Sequence, residues 1–168
     1  MTKTRGIFDS DLKQSFIRGF EVVDTNKRKY PLLNIILPQR ATNLSAGYDI
    51  RCPFNITIPP RESVTIHTEI KAYMQQDEYL DINIRSSMAI KNNLRLSNCV
   101  PIVDADYYSN PDNDGNIILK IINEGDDCIF IKENERIAQG IFKKYLITDD
   151  DNPLEFHRSG GIGSSGTV

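Results

Sequence analysis

Arg85-Ser86-Ser87 sets a guanidinium beside two hydroxyls. Such a set suits phosphate oxygens, because the guanidinium offers a planar fork and serine a short donor. As a lone tripeptide it suits an ordinary surface turn equally well. A second stretch, Asn98-Cys-Val-Pro-Ile-Val-Asp104-Ala-Asp-Tyr107, begins on an amide, crosses an apolar segment and ends on a carboxylate followed by an aromatic ring. Its plain reading is a strand running into a solvated acidic loop. Ala46-Gly47-Tyr48-Asp49 reads as a turn with a carboxylate, and Arg136-Ile-Ala-Gln139 puts an amide on a late strand. Near the C-terminus, Gly160, Gly161, Gly163 and Gly166 free backbone N–H groups able to wrap an anion, although a flexible terminus has the same composition. They form neither a P-loop nor a dinucleotide-binding turn, since no Lys-Ser or Lys-Thr pair follows. Asn110-Pro-Asp-Asn-Asp-Gly115 imitates the start of a calcium loop, but its twelfth position would be Ile121 in place of a glutamate, which rejects an EF-hand.

Strands must position these groups. Leu80, Ile82 and Ile84 alternate with Asp81, Asn83 and Arg85, which predicts a strand over 78–85 with one apolar face. Val64, Ile66, Ile70 and Ala72 predict a half-buried strand over 63–73. Further strands are expected over 16–23, 54–58, 128–131 and 136–145, with a short apolar piece at 32–37 and a loop at 38–47 leading into 48–52. Residues 117–122 are nearly all apolar and β-branched, as in a strand covered on both faces. Val100, Ile102 and Val103 read as one arm of a hairpin, and Pro101, which forbids a ladder hydrogen bond at its own nitrogen, suits an edge or a hairpin position. Only 86–91 suggests a helical turn. Short strands separated by Gly, Pro, Asn and Asp predict an all-β sandwich or jelly roll.

The 168 residues bound one domain, read as 1–148 with a loose extension at 1–15, then a linker and Gly/Ser-rich tail at 149–168. A net charge of −3 gives no general electrostatic case for nucleic acid or an anionic membrane. A polyphosphate would need local positive charge or a metal. Three cysteines without CxxC spacing fit a reduced, intracellular chain, and the N-terminus has no signal-peptide apolar run. No apolar run is long enough to span a bilayer.

In this order and spacing, the five stretches resemble the motifs of the homotrimeric all-β dUTPases (deoxyuridine triphosphate nucleotidohydrolases). The resemblance runs from about Gly19 to Val168 and looks most like enzymes of Gram-positive bacteria and their phages. It implies a jelly-roll fold and water attack on the α-phosphorus of dUTP, giving dUMP and pyrophosphate with Mg2+. It also implies sites that draw motifs from three subunits. On this resemblance Asp104 orients or deprotonates the attacking water. Tyr107 packs on the deoxyribose and leaves no room for a 2′-hydroxyl. Asn98 reads the uracil edge, with backbone groups around Ile102 and Val103, and Ile118 walls the base. Arg85, Ser86 and Ser87 bind phosphate. Gln139 contacts polyphosphate and a metal-bound water, and Asp49 supports the magnesium through water. Arg158 with Ile162, Gly163 and Ser164 belongs to a lid over bound nucleotide.

Three positions depart from the family pattern. Pro101 and Ser109 stand where glycines are usual, and Ile162 stands where a phenylalanine stacks on the base, so a weaker lid and a raised KM are expected. Two other readings compete. A dCTP deaminase of the same fold would need an acid/base glutamate that no motif supplies. A regulatory binding protein of the family would offer the acidic 109–115 loop to a protein partner.

Overall fold

The structure, a computed structural model, describes residues 16–153. The expected extension 1–15 and the lid residues Arg158, Ile162, Gly163 and Ser164 lie outside the described residues. The elements in chain order are β1 (Gly19–Val22), β2 (Gln39–Arg40), β3 (Tyr48–Arg51), β4 (Ile56–Ile58), β5 (Ser63–His67), β6 (Ile70–Tyr73) and β7 (Glu78–Ile84). There follow helix α1 (Ser86–Asn92), β8 (Leu94–Leu96), β9 (Ile102–Asp104), β10 (Ile118–Asn123), β11 (Ile129–Ile131) and β12 (Arg136–Lys144). The strand-dominated reading holds.

A five-stranded sheet in the order β2-β3-β12-β7-β9 faces a three-stranded sheet, β5-β10-β8, with the pairs β1-β6 and β11-β4 alongside. The core holds Ile50, Ile58, Ile66, Leu80, Ile82, Leu119, Ile121 and Ile137, all fully buried. Each such side chain contributes roughly 1.5–3 kcal/mol of burial. Helix α1 hangs on the core by Met88 and stops at Asn93, which adopts the left-handed conformation (φ 52°) and donates its N–H to Met88 O.

The single strand expected over 63–73 is two strands. β5 pairs with β10 and β6 with β1, and the chain breaks at Thr68-Glu69, where Glu69 has φ 60°. Two residues at the break preserve the even spacing of Ile66 and Ile70, so alternation passes through it unseen. The buried Glu69 carboxylate accepts from Asn116 Nδ2 and the Tyr30 N–H, each at 2.9 Å, and holds the corner. The apolar piece 32–37 forms no strand; Leu32 is exposed, and β2 lies just beyond it. β10 is not covered on both faces in this chain: Lys120 is exposed, and Ile118 and Ile122 are half-buried.

The expected hairpin is a crossover. β8 pairs with β10 and β9 with β7, so Asn98–Pro101 carries the chain between sheets. β9 does lie at the sheet edge, as Pro101 requires, and the Pro101 carbonyl accepts from the Ile82 N–H.

Loop 109–115 is folded onto the domain; Ser109, Pro111 and Asp112 remain exposed. Asp114 is buried, accepts from Lys71 Nζ at 2.7 Å and from the Asp24 N–H at 2.8 Å. Burial pushes its carboxyl up, but the Asp24 N–H and the Lys71 ammonium outweigh it and hold the group below the usual carboxylate range. A lowered folded-state pKa stabilises above the unfolded value and is lost as the pH falls through the folded one. Asp114→Asn should therefore cost about 3 kcal/mol at pH 7. The gap to the parent should close below roughly pH 4. Urea melts at neutral and acid pH check this, and a gap of constant size would contradict it.

Candidate active site

The polar face of the five-stranded sheet is set by register. Gln39 lies opposite Asp49, Asp49 opposite Gln139, and Gln139 opposite Asn83, so one row of four polar side chains crosses the sheet. Directly opposed residues share a face. Arg85 follows the end of β7, tied by its N–H to Ile137 O at 3.1 Å. Its Nε lies 3.1 Å from Asp49 Oδ1, and Arg136 Nη1 lies 3.0 Å from Asp49 Oδ2. Asp49 is 7% exposed, so one buried carboxylate joins two guanidinium groups.

The sequence pattern alone assigns Arg136 no role. Three residues from Gln139, it belongs on the opposite face of a regular strand. A register shift between Arg136 and Ala138 brings it opposite Arg51, and so onto the Asp49 face. Gly47 has an equally local reason. A Cβ there would sit 2.3 Å from Gln139 Oε1 and 3.0 Å from Gln139 Cβ, so the amide lies directly across the glycine. Arg85, Ser86, Ser87, Gln139, Asp49 and Gly47 thus share one cleft.

Asp104 is elsewhere. It ends β9, exposed, opposite Tyr79 of β7, and faces a second cleft with Met74, Gln76, Asp106 and Tyr145. Tyr79 and Arg85 are six residues apart along one extended strand, which puts Asp104 about 20 Å from Arg85. Tyr107 closes the short 3-10 turn after Asp104; its ring is mostly buried, and its hydroxyl donates to Asn116 O at 2.9 Å. Asn98 is exposed in the crossover, where Cys99 has φ 59°. The Ser97 N–H donates to Lys120 O at 2.8 Å, and Ile118 is half-buried. Ile102 is exposed and Val103 buried. The chain therefore brings Arg85, Ser86, Ser87, Gln139 and Asp49 into one cleft, places Asp104 beside a second, and leaves Asn98 apart in the crossover.

A family model described as dUTPase matches residues 34–166, most of the chain. The chain belongs to the dUTPase family. It is 43% identical over 151 residues to the deoxyuridine 5'-triphosphate nucleotidohydrolase of Lactococcus lactis, covering 89% of this chain and 98% of that protein. The swinepox virus protein of the same name is 33% identical over 137 residues, covering 79% and 91%. Among solved structures, the Streptococcus mutans dUTPase superposes with a TM-score of 0.68 at 37% identity, covering 78% of this chain and 98% of that one. The dUTPase of phage phi11 of S. aureus shares the fold, with a TM-score of 0.64 at 17% identity. Within this dUTPase chain no group of three or more His, Cys, Asp or Glu gathers as a metal nest among the described residues. No helix among them is long and apolar enough to cross a membrane.

Gly47→Ala should displace the Gln139 amide and leave the core intact. kcat/KM for dUTP is expected to fall about tenfold with little loss of thermal stability. An unchanged kcat/KM in a folded Gly47→Ala protein would mean that the Gln139 amide has no part in turnover.

Proposed function

We propose that this protein hydrolyses dUTP to dUMP and pyrophosphate by water attack at the α-phosphorus. The observation that carries the reading is the cleft in which Arg85, Ser86, Ser87 and Gln139 converge over the Arg-bridged Asp49. Arg85 and the two serines bind phosphate oxygens and meet the charge that develops on them. Asp104 holds the water and takes its proton as the water oxygen bonds to phosphorus and the pyrophosphate oxygen leaves. A carboxylate within hydrogen-bond reach is worth roughly 10²–10⁴-fold. Asn98, with backbone groups near Ile102 and Val103, reads uracil against the Ile118 wall, and Tyr107 lies under the deoxyribose. Arg158, Ile162, Gly163 and Ser164 cover the bound nucleotide.

Asp49 Oδ2 already accepts from Arg136 Nη1, and Asp49 Oδ1 is ion-paired with Arg85 Nε. Asp49 therefore fits a magnesium ion through water only, and Gln139 offers its amide oxygen to the same water shell. That suits Mg2+, which keeps several waters and takes direct ligands from phosphates. Bound with the nucleotide, the ion supplies charge neutralisation on the triphosphate.

A single chain does not complete the site, because Asp104 and Arg85 lie at opposite ends of β7. The partners are two further copies in a homotrimer, one giving the Asp104–Tyr107 edge, another the phosphate cleft and the third the lid. The described cysteines Cys52, Cys99 and Cys128 are free, as suits a reducing cytoplasm.

Pyrophosphate release from dUTP, beside dTTP and dCTP and with or without Mg2+, tests the activity. Release from dUTP alone is expected, and ammonia from dCTP would replace this reading with a deaminase. Asp104→Asn and Arg85→Ala proteins should each lose at least about 10²-fold in kcat. Co-expressed, they should recover up to about a quarter of parental activity, since random mixing leaves that share of sites intact. No recovery would mean that both residues serve a site within one chain.

A further inference from the structure

Asn110-Pro-Asp-Asn-Asp-Gly115 directly follows the Asp104–Tyr107 edge, and its amides close on Tyr107. Asn113 Nδ2 donates to the Tyr107 hydroxyl at 2.8 Å, and that hydroxyl donates to Asn116 O at 2.9 Å. Asn110 Nδ2 donates to Tyr107 O at 2.9 Å and to Asn113 Oδ1 at 2.8 Å. Asn113 Oδ1 also accepts the Gly115 N–H, and Asn110 Oδ1 accepts the N–H groups of Asp112 and Asn113. Gly115 has φ +84°, and a Cβ on it would meet Tyr107 O at 2.9 Å, so the loop closes against the tyrosine backbone. The Asp114–Lys71 pair pins its far side.

We propose that this loop is a specificity element, in which Asn113 is a positioning residue that fixes the Tyr107 ring and thereby sets the preference for dUTP over UTP. The inference rests on the reading of Tyr107 as the surface under the sugar. A ring excludes a 2′-hydroxyl only as firmly as it resists being pushed aside. Tyr107 is tethered to the backbone at one end of its side chain. The two hydrogen bonds at its hydroxyl tether the other end, in a mostly buried setting where an unmade bond is costly. The 109–115 insertion so acts inward, on the substrate's sugar.

The test compares kcat/KM for dUTP and UTP in the full-length assembled enzyme with Mg2+. Asn113→Asp keeps an acceptor for Asn110 and Gly115 and removes the donor to Tyr107. Its kcat/KM for UTP should rise about tenfold while that for dUTP stays within about threefold. Tyr107→Phe, which keeps the ring and loses both hydroxyl bonds, should show the same fall in the dUTP/UTP ratio. A ratio unchanged in these variants, whatever their melting temperatures, overturns the inference, and so does an equal loss for both nucleotides. If Asn113→Asp does not fold, Tyr107→Phe decides alone. Tyr107→Ala separates the two levels. A lowered ratio in Tyr107→Ala but in neither other variant leaves the sugar reading standing and removes the loop's role. A ratio unmoved even by Tyr107→Ala removes both.

Discussion

One carboxylate, that of Asp49, organises the charge of the phosphate cleft. Burying it alone would cost several kcal/mol. Arg136 donates a charge-assisted hydrogen bond to one oxygen and Arg85 is ion-paired with the other, and both offset part of that cost. Two guanidinium groups this close repel each other, and the carboxylate between them is what lets both remain. The trio carries a net positive charge in a protein whose total is −3. An acidic chain can therefore present a local cationic surface to a polyphosphate without being basic overall. Asp49 is first a strut for Arg85, and any influence on a metal passes through the water shell.

The cleft depends on backbone detail within the motifs that their residue types alone do not announce. The shift in β12 turns Arg136 onto the cleft face, and the missing Cβ of Gly47 lets the Gln139 amide lie across β3. Both belong to the central part of the five-stranded sheet, where register is fixed on each side by a neighbouring strand. β9, by contrast, is an edge strand paired on one side. In the proposed trimer that suits a carboxylate meeting groups from another chain, because an edge is where a second copy can approach.

Much of this was legible in the sequence. Alternation in 78–84 named the core residues Leu80 and Ile82, and Pro101 announced the edge. The ordered motifs named the cleft residues and the family together. What was missed has physical causes. The corner at Thr68-Glu69 spans two residues, so a period of two cannot detect it; the signal is the buried Glu69 carboxylate, which only the fold explains. Asp81 appeared to be an outward residue, yet it is buried beneath the Lys143 ammonium, since a long charged side chain can cover a carboxylate that pattern alone would call exposed. Arg136 required knowledge of a bulge. Asn110 and Asn113 were legible as turn formers, but their grip on the Tyr107 hydroxyl depends on how the turn closes.

The proposed splitting of the site between chains also has a chemical logic. A guanidinium within about 4–6 Å of a carboxylate favours its charged form and lowers its proton affinity. A weaker base takes a proton from water less effectively. Were Arg85 beside Asp104 in the same chain, the two would close a salt bridge before any nucleotide arrived, and the base and the phosphate ligand would neutralise each other. Within one chain, a separation of about 20 Å along β7 keeps the two apart. In the proposed assembly the two meet across a bound triphosphate, whose own negative charge takes up the guanidinium. The substrate then supplies a second anion to an Arg85 that Asp49 already holds in place, with Asp104 set against the attacking water.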